Sequence, residues 1–337
     1  MIGRIFISSF VILTMGFSQT VLSAVSGESL SAEHPKVALV LSGGGARGFS
    51  HVGVIKVLEE LGVKVDIVTG TSMGAMVGGG YASGYSVEQM QEIILGVDWN
   101  EMFALRPDRS EINWRRRQDD FKGLGSGEIG FSDGKALFPD SVVPAQHLEI
   151  FLRSITKHVS SVTDLSRLPI PFAAVATDLD NGEAVVMQKD VSLADAMRAS
   201  MSVPGAFSPF PFKKHVLVDG GLSQNLPVEQ ARAMGADIII AVNAGTPLGK
   251  SKDIHSVAGV MGQMIGILTE RNVEHSKSLL TDRDILITTD LEGLNSGDFT
   301  KAAEIIEAGE KSARTHMAEL RRLAVPRSSF LAWNSAR

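Results

Sequence analysis

From Pro35 onward, the chain alternates short apolar runs, each about the length of one β-strand, with longer stretches of helical character. The first run is Val37 to Leu41, and a helix is predicted directly after it, from Ala46 to Leu61. The other predicted strands are Val65–Thr69, Phe172–Ala176, Ala184–Met187, Val216–Val218, Asp237–Val242 and Ile285–Thr288. The other predicted helices are Met73–Ala82, Ser86 to about Leu95, Pro227–Met234, 254–280 and 299–323. Apolar strands that alternate with helices predict an α/β fold with a mostly parallel central sheet and helices on both faces.

Composition excludes several kinds of chemistry. The 337 residues contain no cysteine, which rules out disulfides, thiolate nucleophiles, Cys-ligated zinc and iron–sulfur clusters. The formal net charge is −6, so there is no electrostatic reason to expect nucleic acid as a partner. The histidines away from the motifs described below show no metal-ligand spacing. We therefore expect neither a metal nor a cofactor.

The N-terminus has the pattern of a secretory signal peptide. Arg4 is followed by an apolar run from Ile5 to Phe17, which is too short to span a bilayer. Cleavage after Ser26 places the small residue Ala24 at the −3 position. We expect residues 1–26 to be removed and the mature protein to be exported, periplasmic or secreted. The alternatives are an uncleaved N-terminal membrane anchor and a buried helix.

A glycine-rich turn joins the first predicted strand to its helix. Residues Gly43-Gly44-Gly45-Ala46-Arg47-Gly48 satisfy G-x-G-x-x-G, so a nucleotide-dependent oxidoreductase is one alternative. Asp66 follows at nearly the spacing of a ribose-binding acid, but it lies near the start of the second strand, whereas such an acid belongs at the carboxyl end. A turn without side chains also presents N–H groups to any negatively charged oxygen, and Arg47 lies beside them.

A second motif, Gly70-Thr71-Ser72-Met73-Gly74, lies between a predicted strand and a predicted helix. This G-x-S-x-G sequence in this setting is typical of a nucleophile elbow, in which a tight turn lifts the serine hydroxyl above the sheet. In such an elbow, the N–H of Met73 can face the oxyanion that forms when the serine attacks a carbonyl, together with the N–H groups of Gly44 and Gly45.

A third motif, Asp219-Gly220-Gly221, follows the predicted strand Val216–Val218. An acid at the carboxyl end of a strand lies where open α/β sheets place their sites. Without the other two motifs, an aspartate at this position is more often a turn residue that stabilises its own backbone.

In this order, the three motifs resemble the patatin-like phospholipase family. The matching stretches also include Ala176-Thr177-Asp178-Leu179, Arg198-Ala199-Ser200-Met201-Ser202-Val203-Pro204-Gly205 and Asn225-Leu226-Pro227-Val228. The likeness covers about Lys36 to Pro247 and is closest to exported bacterial members, without the outer-membrane barrel into which some of them continue. It implies a three-layer patatin-like catalytic domain at 36–247, with helices at 248–325 packing on the same domain.

The resemblance implies a catalytic dyad with Ser72 as nucleophile and Asp219 as base. It implies an oxyanion hole shaped by the glycine loop, and the residues carried across are Gly43, Gly44, Gly45 and Arg47, with Met73 from the elbow. The glycines that shape the motifs are Gly48, Gly70, Gly74, Gly220 and Gly221. An aspartate with its ordinary pKa of about 3.9 is a weak base for a serine hydroxyl, so the oxyanion donors must supply much of the stabilisation. His51 and His215 are candidates for a third triad member, but their positions favour structural or exposed roles.

The function implied is hydrolysis of lipid esters of the phospholipase A or lysophospholipase type, with membrane phospholipid or another lipid ester as substrate. One alternative is a weakly catalytic or non-catalytic regulatory protein on a patatin-like scaffold. Between Arg106 and Asp140, Trp114 and Arg115–Arg117 lie near Phe121. This segment is either a solvated helix and loop or a flap that makes peripheral contact with membrane phosphates. The sequence predicts no oligomeric state.

Overall fold

The computed structural model describes residues 34–103, 130–132, 135–137, 145–249 and 254–337. Pro35–Arg337 forms one compact unit. The predicted signal peptide lies outside the described residues. Trp114, Arg115–Arg117 and Phe121 also lie outside them, so the membrane-facing interpretation of that segment stays a prediction.

The described strands and helices alternate along most of the chain. The strands are β1 (Val37–Leu41), β2 (Ile67–Thr71), β3 (Gly130–Ser132), β4 (Lys135–Leu137), β5 (Phe172–Asp178), β6 (Ala184–Met187), β7 (Phe210–Phe212), β8 (His215–Asp219), β9 (Ile238–Asn243) and β10 (Ile285–Thr288). The α-helices are α1 (Ser50–Leu61), α2 (Met73–Ala82), α3 (Val87–Gly96), α4 (Trp99–Met102), α5 (Gln146–Ile155), α6 (Leu193–Ser200), α7 (Gly221–Gln224), α8 (Val228–Ala233), α9 (Val257–Ser278), α10 (Ala302–Thr315), α11 (Met317–Leu320) and α12 (Arg327–Ala336). None of these helices combines the length and the apolar character needed to cross a bilayer.

The central sheet has the order β10-β9-β1-β2-β5-β8-β7, and β6 pairs with β5 beside this path. The strands from β10 to β5 are parallel, whereas β6, β7 and β8 are antiparallel to their neighbours. The strands β3 and β4 form a separate antiparallel pair. The predicted α/β fold with a mostly parallel sheet is therefore confirmed, with an antiparallel edge that the sequence pattern did not indicate.

Alternation along β1 divides the core between the two faces of the sheet. Val37, Leu39 and Leu41 point into a large apolar core that also holds residues of α1 and α2. Ala38 and Val40 point into a smaller core on the other face, which contains residues of α8 and Val273 of α9. All five residues are fully buried, as expected for a parallel strand covered on both faces. The architecture therefore has three layers.

The second strand lies two residues later than the sequence predicts. Asp66 accepts a hydrogen bond from the N–H of Val37 at 3.0 Å and so precedes the strand. At the other end, Gly70 pairs with Leu41 and Thr71 pairs with Val175, so both neighbouring strands extend β2 up to Ser72. Pairing partners outside the local sequence set these limits.

The predicted helix Ala46–Leu61 is divided in two. Gly45–Phe49 forms a 3-10 turn, and the α-helix begins only at Ser50. The N–H of Ala46 donates to the carbonyl of Ser296 at 2.8 Å, so this turn is held by a distant segment of the chain. The predicted capping box of Ser86 and Gln89 is present at the start of α3.

Candidate active site

Ser72 occupies a sharp turn between the end of β2 and the start of α2. Its backbone has φ 53° and ψ −123°, a left-handed conformation that costs a residue with a side chain of order 1–3 kcal/mol. The two flanking glycines allow the turn to be this tight. A Cβ built on Gly70 would collide with the carbonyl of Gly74, and one built on Gly74 would collide with the carbonyl of Leu41. The strained serine between two obligatory glycines has the geometry of a nucleophile elbow.

The N–H of Ser72 is fixed from a neighbouring strand and helix. It donates to the hydroxyl of Ser200, at the end of α6, at 2.8 Å. That hydroxyl in turn donates to the carbonyl of Val175 in β5 at 2.5 Å. The strained turn is thus tied through one buried side chain to the centre of the sheet.

Asp219 is the last residue of β8 and pairs with Ala176 of β5. Its side chain is buried, with only 7% of the residue exposed. One carboxylate oxygen, Oδ1, accepts a hydrogen bond from the N–H of Gly221 at 2.7 Å. The other, Oδ2, is buried without a hydrogen-bond partner in the part of the chain that the structure describes. A buried carboxylate oxygen without a donor is costly to maintain, which is typical of a functional site.

Burial raises the pKa of the Asp219 carboxyl to about 6, because the low-dielectric interior disfavours its charged form. The Ser72 hydroxyl and the Gly221 N–H oppose this increase in part. Ser72 and Asp219 therefore interact, although the Ser72 hydroxyl forms no hydrogen bond of standard geometry within the described residues. Both side chains line the same cavity. The carboxyl is a stronger base here than a solvated aspartate is.

The glycine loop runs alongside Ser72. A Cβ built on Gly43 would lie 3.0 Å from the Cβ of Ser72. Gly44, Gly45 and Met73 line the cavity, and their N–H groups have no acceptor among the described residues. Three adjacent donors without acceptors form an arrangement that can bind an oxyanion.

Gly43 and Arg47 belong to this loop, but neither directs a free donor at the cavity. The N–H of Gly43 donates to the carbonyl of Asn225 at 3.3 Å. The guanidinium of Arg47 donates to four backbone carbonyls at 2.6–3.1 Å, those of Ala244, Gly245, Leu291 and Leu294. Arg47 is 5% exposed and does not line the cavity. Both residues therefore hold the loop through hydrogen bonds to backbone carbonyls. Donation to an oxyanion by the Arg47 side chain does not fit this geometry.

The remaining motif glycines are positions of close backbone approach. A Cβ on Gly48 would lie 2.6 Å from Cγ of Met73, and one on Gly220 would collide with the carbonyl of Val175. A Cβ on Gly221 would lie 3.0 Å from Oδ1 of Asp219. These contacts hold the three motifs against each other.

The cavity has a volume of about 660 Å³ and is mostly apolar. The polar atoms of the Ser72 elbow, the glycine loop and Asp219 form part of its lining. The large apolar residues that complete it are Phe103, Met201, Val203, Phe207, Leu222, Leu248, Ile265, Val273 and Phe299. A mostly apolar cavity with a few converging polar groups is typical of a ligand site.

Neither candidate histidine reaches this site. His51 is fully buried in α1, where its Nε2 lies 2.7 Å from the carbonyl oxygen of Ser42, and burial lowers its pKa to about 4. His215 is the first residue of β8, at the opposite end of the strand from Asp219, and its Nδ1 lies 2.6 Å from Oδ2 of Asp178. Neither lines the cavity. Both have the structural roles that the sequence favoured.

Sequence reasoning missed the residues that hold the Asp219 loop. Asn272 of α9 donates to the carbonyl of Gly221 at 2.8 Å and accepts from the N–H of Asn225 at 2.8 Å. Thr269, one helical turn earlier, also donates to the carbonyl of Gly221, at 3.1 Å. Nothing in the sequence around α9 indicates this function. Only the fold brings the helix to the loop.

The geometry does not support a dinucleotide site. Asp66 precedes β2, so it lies at the end of the strand opposite Ser72. Its carboxylate is paired with the Val37 N–H at 3.0 Å and with Lys64 at 2.6 Å. The acid that G-x-G-x-x-G would need at the carboxyl end of this strand is therefore not supplied by Asp66.

Comparison with known proteins identifies a family. The sequence model of the family described as patatin-like phospholipase matches residues 39–232. Patatin-like phospholipase domain-containing protein 6 of Mus musculus is 36% identical over 217 residues, which are 62% of this chain and 14% of that protein. An uncharacterized NTE family protein of Mycobacterium tuberculosis is 33% identical over 220 residues, 65% of this chain and 52% of that protein.

The similarity to solved structures is weaker. The crystal structure of VipD from Legionella pneumophila has a TM-score of 0.46 and 16% identity, and the match covers 85% of this chain and 67% of that one. With respect to the two relatives named above, the match spans only about half the length of the mycobacterial protein and a small part of the mammalian one.

Proposed function

Since this chain belongs to the patatin-like phospholipase family, we propose that it hydrolyses lipid esters through a Ser72–Asp219 dyad. The reaction is of the phospholipase A or lysophospholipase type and passes through an acyl-enzyme. The observation that carries the proposal is the strained Ser72 elbow beside a buried Asp219, both lining one apolar cavity.

In the first half-reaction, Oγ of Ser72 attacks the ester carbonyl and its proton passes to Asp219. The carbonyl oxygen becomes an oxyanion and accepts hydrogen bonds from the N–H groups of Gly44, Gly45 and Met73. Removing one such donor typically slows an enzyme by ~10²–10³-fold, so these groups supply a large part of the stabilisation. Collapse of the intermediate breaks the ester C–O bond, and the leaving alcohol takes the proton from Asp219.

In the second half-reaction, water attacks the acyl-enzyme and gives a proton to Asp219. The oxyanion again forms at the same N–H groups, and the C–O bond to Ser72 breaks. Ser72 recovers the proton, and the fatty acid leaves as the second product. One carboxyl therefore serves as base and then as acid in each half-reaction.

The raised pKa of Asp219 makes an aspartate usable as this base. With a pKa of about 6, the carboxyl is mostly ionised at pH 7 and binds a proton more strongly than a solvated aspartate does. Its Oδ2, which has no hydrogen-bond partner among the residues that the structure describes, is the oxygen available to accept the serine proton. No histidine is required.

The cavity suits an acyl chain. Its volume of about 660 Å³ lies within the ~300–1,000 Å³ typical of small-molecule sites. Aromatic and aliphatic side chains line it, and burying a hydrocarbon chain among them is favourable by roughly 0.8 kcal/mol per CH₂. Lipid esters are therefore better substrates for this site than small polar esters.

Lipid mass spectrometry tests the proposal. Mixed membrane phospholipids are incubated with the wild type and with Ser72→Ala. The wild type should release free fatty acid and lysophospholipid, or consume lysophospholipid, and Ser72→Ala should do neither. Equal product formation by both proteins would refute the dyad.

We further propose that the protein acts outside the cytoplasm. The support is Arg4, the apolar run Ile5–Phe17 and the small residues Ala24 and Ser26. N-terminal sequencing of natively produced protein should find a mature chain that begins within residues 25–33. An intact Met1 in a cytosolic fraction would contradict export.

A further inference from the structure

The outer face of α9 exposes a continuous apolar surface. Five large apolar side chains of this helix are 41–59% exposed: Val260, Met261, Met264, Ile267 and Leu268. At about 100° per residue, they fall within an arc of roughly 120° on one side of the helix. Leu248 is also 44% exposed, but it lines the cavity and lies beside Gly266, outside this arc. We call the five helix residues the α9 apolar face.

The opposite side of the same helix lines the cavity. Gly262, Ile265, Gly266, Thr269 and Val273 all contribute to the lining. In the same helix, Thr269 and Asn272 hold the Gly221 carbonyl beside Asp219. A single helix thus separates the α9 apolar face from the cavity and from the loop that carries Asp219.

The charge pattern along α9 has a boundary. From Val257 to Leu268 the sequence contains no charged residue, whereas Arg271, Glu274 and His275 are exposed one to two turns later. The uncharged segment of 12 residues is about 18 Å long at 1.5 Å per residue. It is too short to span a hydrocarbon core of about 30 Å, but it suits a helix that lies in the plane of a lipid surface.

We propose that the α9 apolar face docks on a lipid surface and brings the cavity against the lipids from which substrate enters. The inference rests on the proposed lipid-ester function and names the surface by which that substrate is reached. The face lies on the same helix that lines the apolar cavity, which supports a lipid over another occupant. A second copy of this chain fits less well, because a stable interface typically takes ~20–30 residues per partner and the face has five.

The net charge sets the kind of lipid. With a formal net charge of −6, the protein gains no general attraction to anionic headgroups. Docking through apolar side chains therefore occurs on zwitterionic phosphatidylcholine vesicles and is little affected by salt. This separates the α9 apolar face from the arginine-rich segment near Trp114, which would act on anionic lipid.

Vesicle binding is measured first with Ser72→Ala protein, so that the result does not depend on turnover. Cosedimentation with phosphatidylcholine vesicles is compared for Ser72→Ala alone, with Met261→Glu/Met264→Glu added, and with Ile150→Glu added. Ile150 is 58% exposed on α5 and does not line the cavity, so it is a matched control. Adding Met261→Glu/Met264→Glu should weaken vesicle binding by about 100-fold, because two side chains that become buried in the lipid on docking are replaced by charged ones. Adding Ile150→Glu should leave it unchanged.

Hydrolysis of a monomeric short-chain ester is the second readout, in proteins that retain Ser72. Met261→Glu/Met264→Glu should hydrolyse this ester within about twofold of the wild type, because neither side chain lines the cavity. Should the paired variant bind vesicles as tightly as its parent, or should light scattering show that the wild type uses this face to dimerise, the docking proposal is wrong. Vesicle binding without hydrolysis of any ester would instead retain the docking proposal and refute the enzyme.

Discussion

The backbone N–H of Ser72 donates a hydrogen bond to the hydroxyl of Ser200 at 2.8 Å. This bond has two consequences for the site. It engages the N–H of the proposed nucleophile, so in the proposed mechanism the oxyanion is bound by the neighbouring donors at Gly44, Gly45 and Met73. It also ties the strained turn to Val175 in the sheet through the same hydroxyl.

Ser200→Ala should therefore lower turnover more than it lowers substrate binding. The change removes the hydrogen-bond partner of the buried Ser72 N–H, at a cost of about 1–3 kcal/mol, and it frees the Ser72 turn to relax. We expect kcat to fall by about 10–100-fold with KM little changed, since misplacement of a reacting group by about 1 Å has effects of this size. Steady-state kinetics on a monomeric ester measures both. Ser83→Ala is the control, because among the described residues that buried hydroxyl donates to the carbonyl of Gly80, in the helix directly before it.

The pH dependence of kcat/KM should report the Asp219 carboxyl. The base must be ionised, and burial places its pKa at about 6, so activity should fall as the pH drops through about 6. A rate profile from pH 4 to 9 measures the midpoint. His215→Gln should keep this midpoint, because His215 does not line the cavity. Loss of activity in His215→Gln or His51→Ala, together with near-wild-type activity in Asp219→Asn, would mean that a histidine is the base.

Asp219→Asn should abolish turnover and yet stabilise the fold at neutral pH. The folded pKa of about 6 lies above the unfolded value of ~3.9, so the protonated form favours folding and this stability is lost as the pH rises from about 4 through 6. A permanently neutral amide removes that cost, on the order of 1–3 kcal/mol, and should raise the melting temperature by several degrees at pH 7.5. The gain should disappear near pH 4.

Asp178→Asn provides the opposite sign as a control. The His215 hydrogen bond and the Asp180 N–H hold the pKa of Asp178 below its usual range. Its carboxylate therefore stabilises the fold above the unfolded pKa, and Asp178→Asn should lower the melting temperature at pH 7.5. A decrease for Asp219→Asn as well would show that the Asp219 carboxylate is stabilised in the folded protein, contrary to our account.

Gly44→Ala should inactivate the site. A Cβ at this position would lie 2.6 Å from the carbonyl oxygen of Ala244, so the loop must shift and move its N–H groups away from the oxyanion. We expect the rate to fall by ~10²–10³-fold, the effect of losing one oxyanion donor. Gly96→Ala is the control, because a Cβ there meets no atom within 4 Å. Equal activity of the two variants would exclude the loop from catalysis.

The sequence predicted those parts of the site that are written in contiguous residues. The Ser72 elbow could be predicted because glycines on either side of a serine, between a strand and a helix, specify a tight turn locally. The parallel core of the sheet could be predicted because its strands are mostly apolar on both faces.

The remaining features depend on contacts between distant segments. Ser200 and Asn272 act through bonds to residues far away in the chain, so nothing near them indicates their roles. Arg47 belongs to the glycine loop in sequence, but its guanidinium donates hydrogen bonds to the carbonyls of Ala244 and Leu291 and does not line the cavity. The basicity of Asp219 comes from burial, which only the assembled core creates.

The central claim is that Ser72 is the nucleophile, and covalent labelling tests it most directly. The mature wild type, Ser72→Ala and Ser200→Ala are treated with a fluorophosphonate and analysed by intact-mass and peptide mass spectrometry. Our account predicts one adduct on the wild type, located at Ser72, a slower adduct at Ser72 in Ser200→Ala, and none on Ser72→Ala. An adduct on another serine of the wild type, or labelling of Ser72→Ala at the wild-type rate, would contradict it.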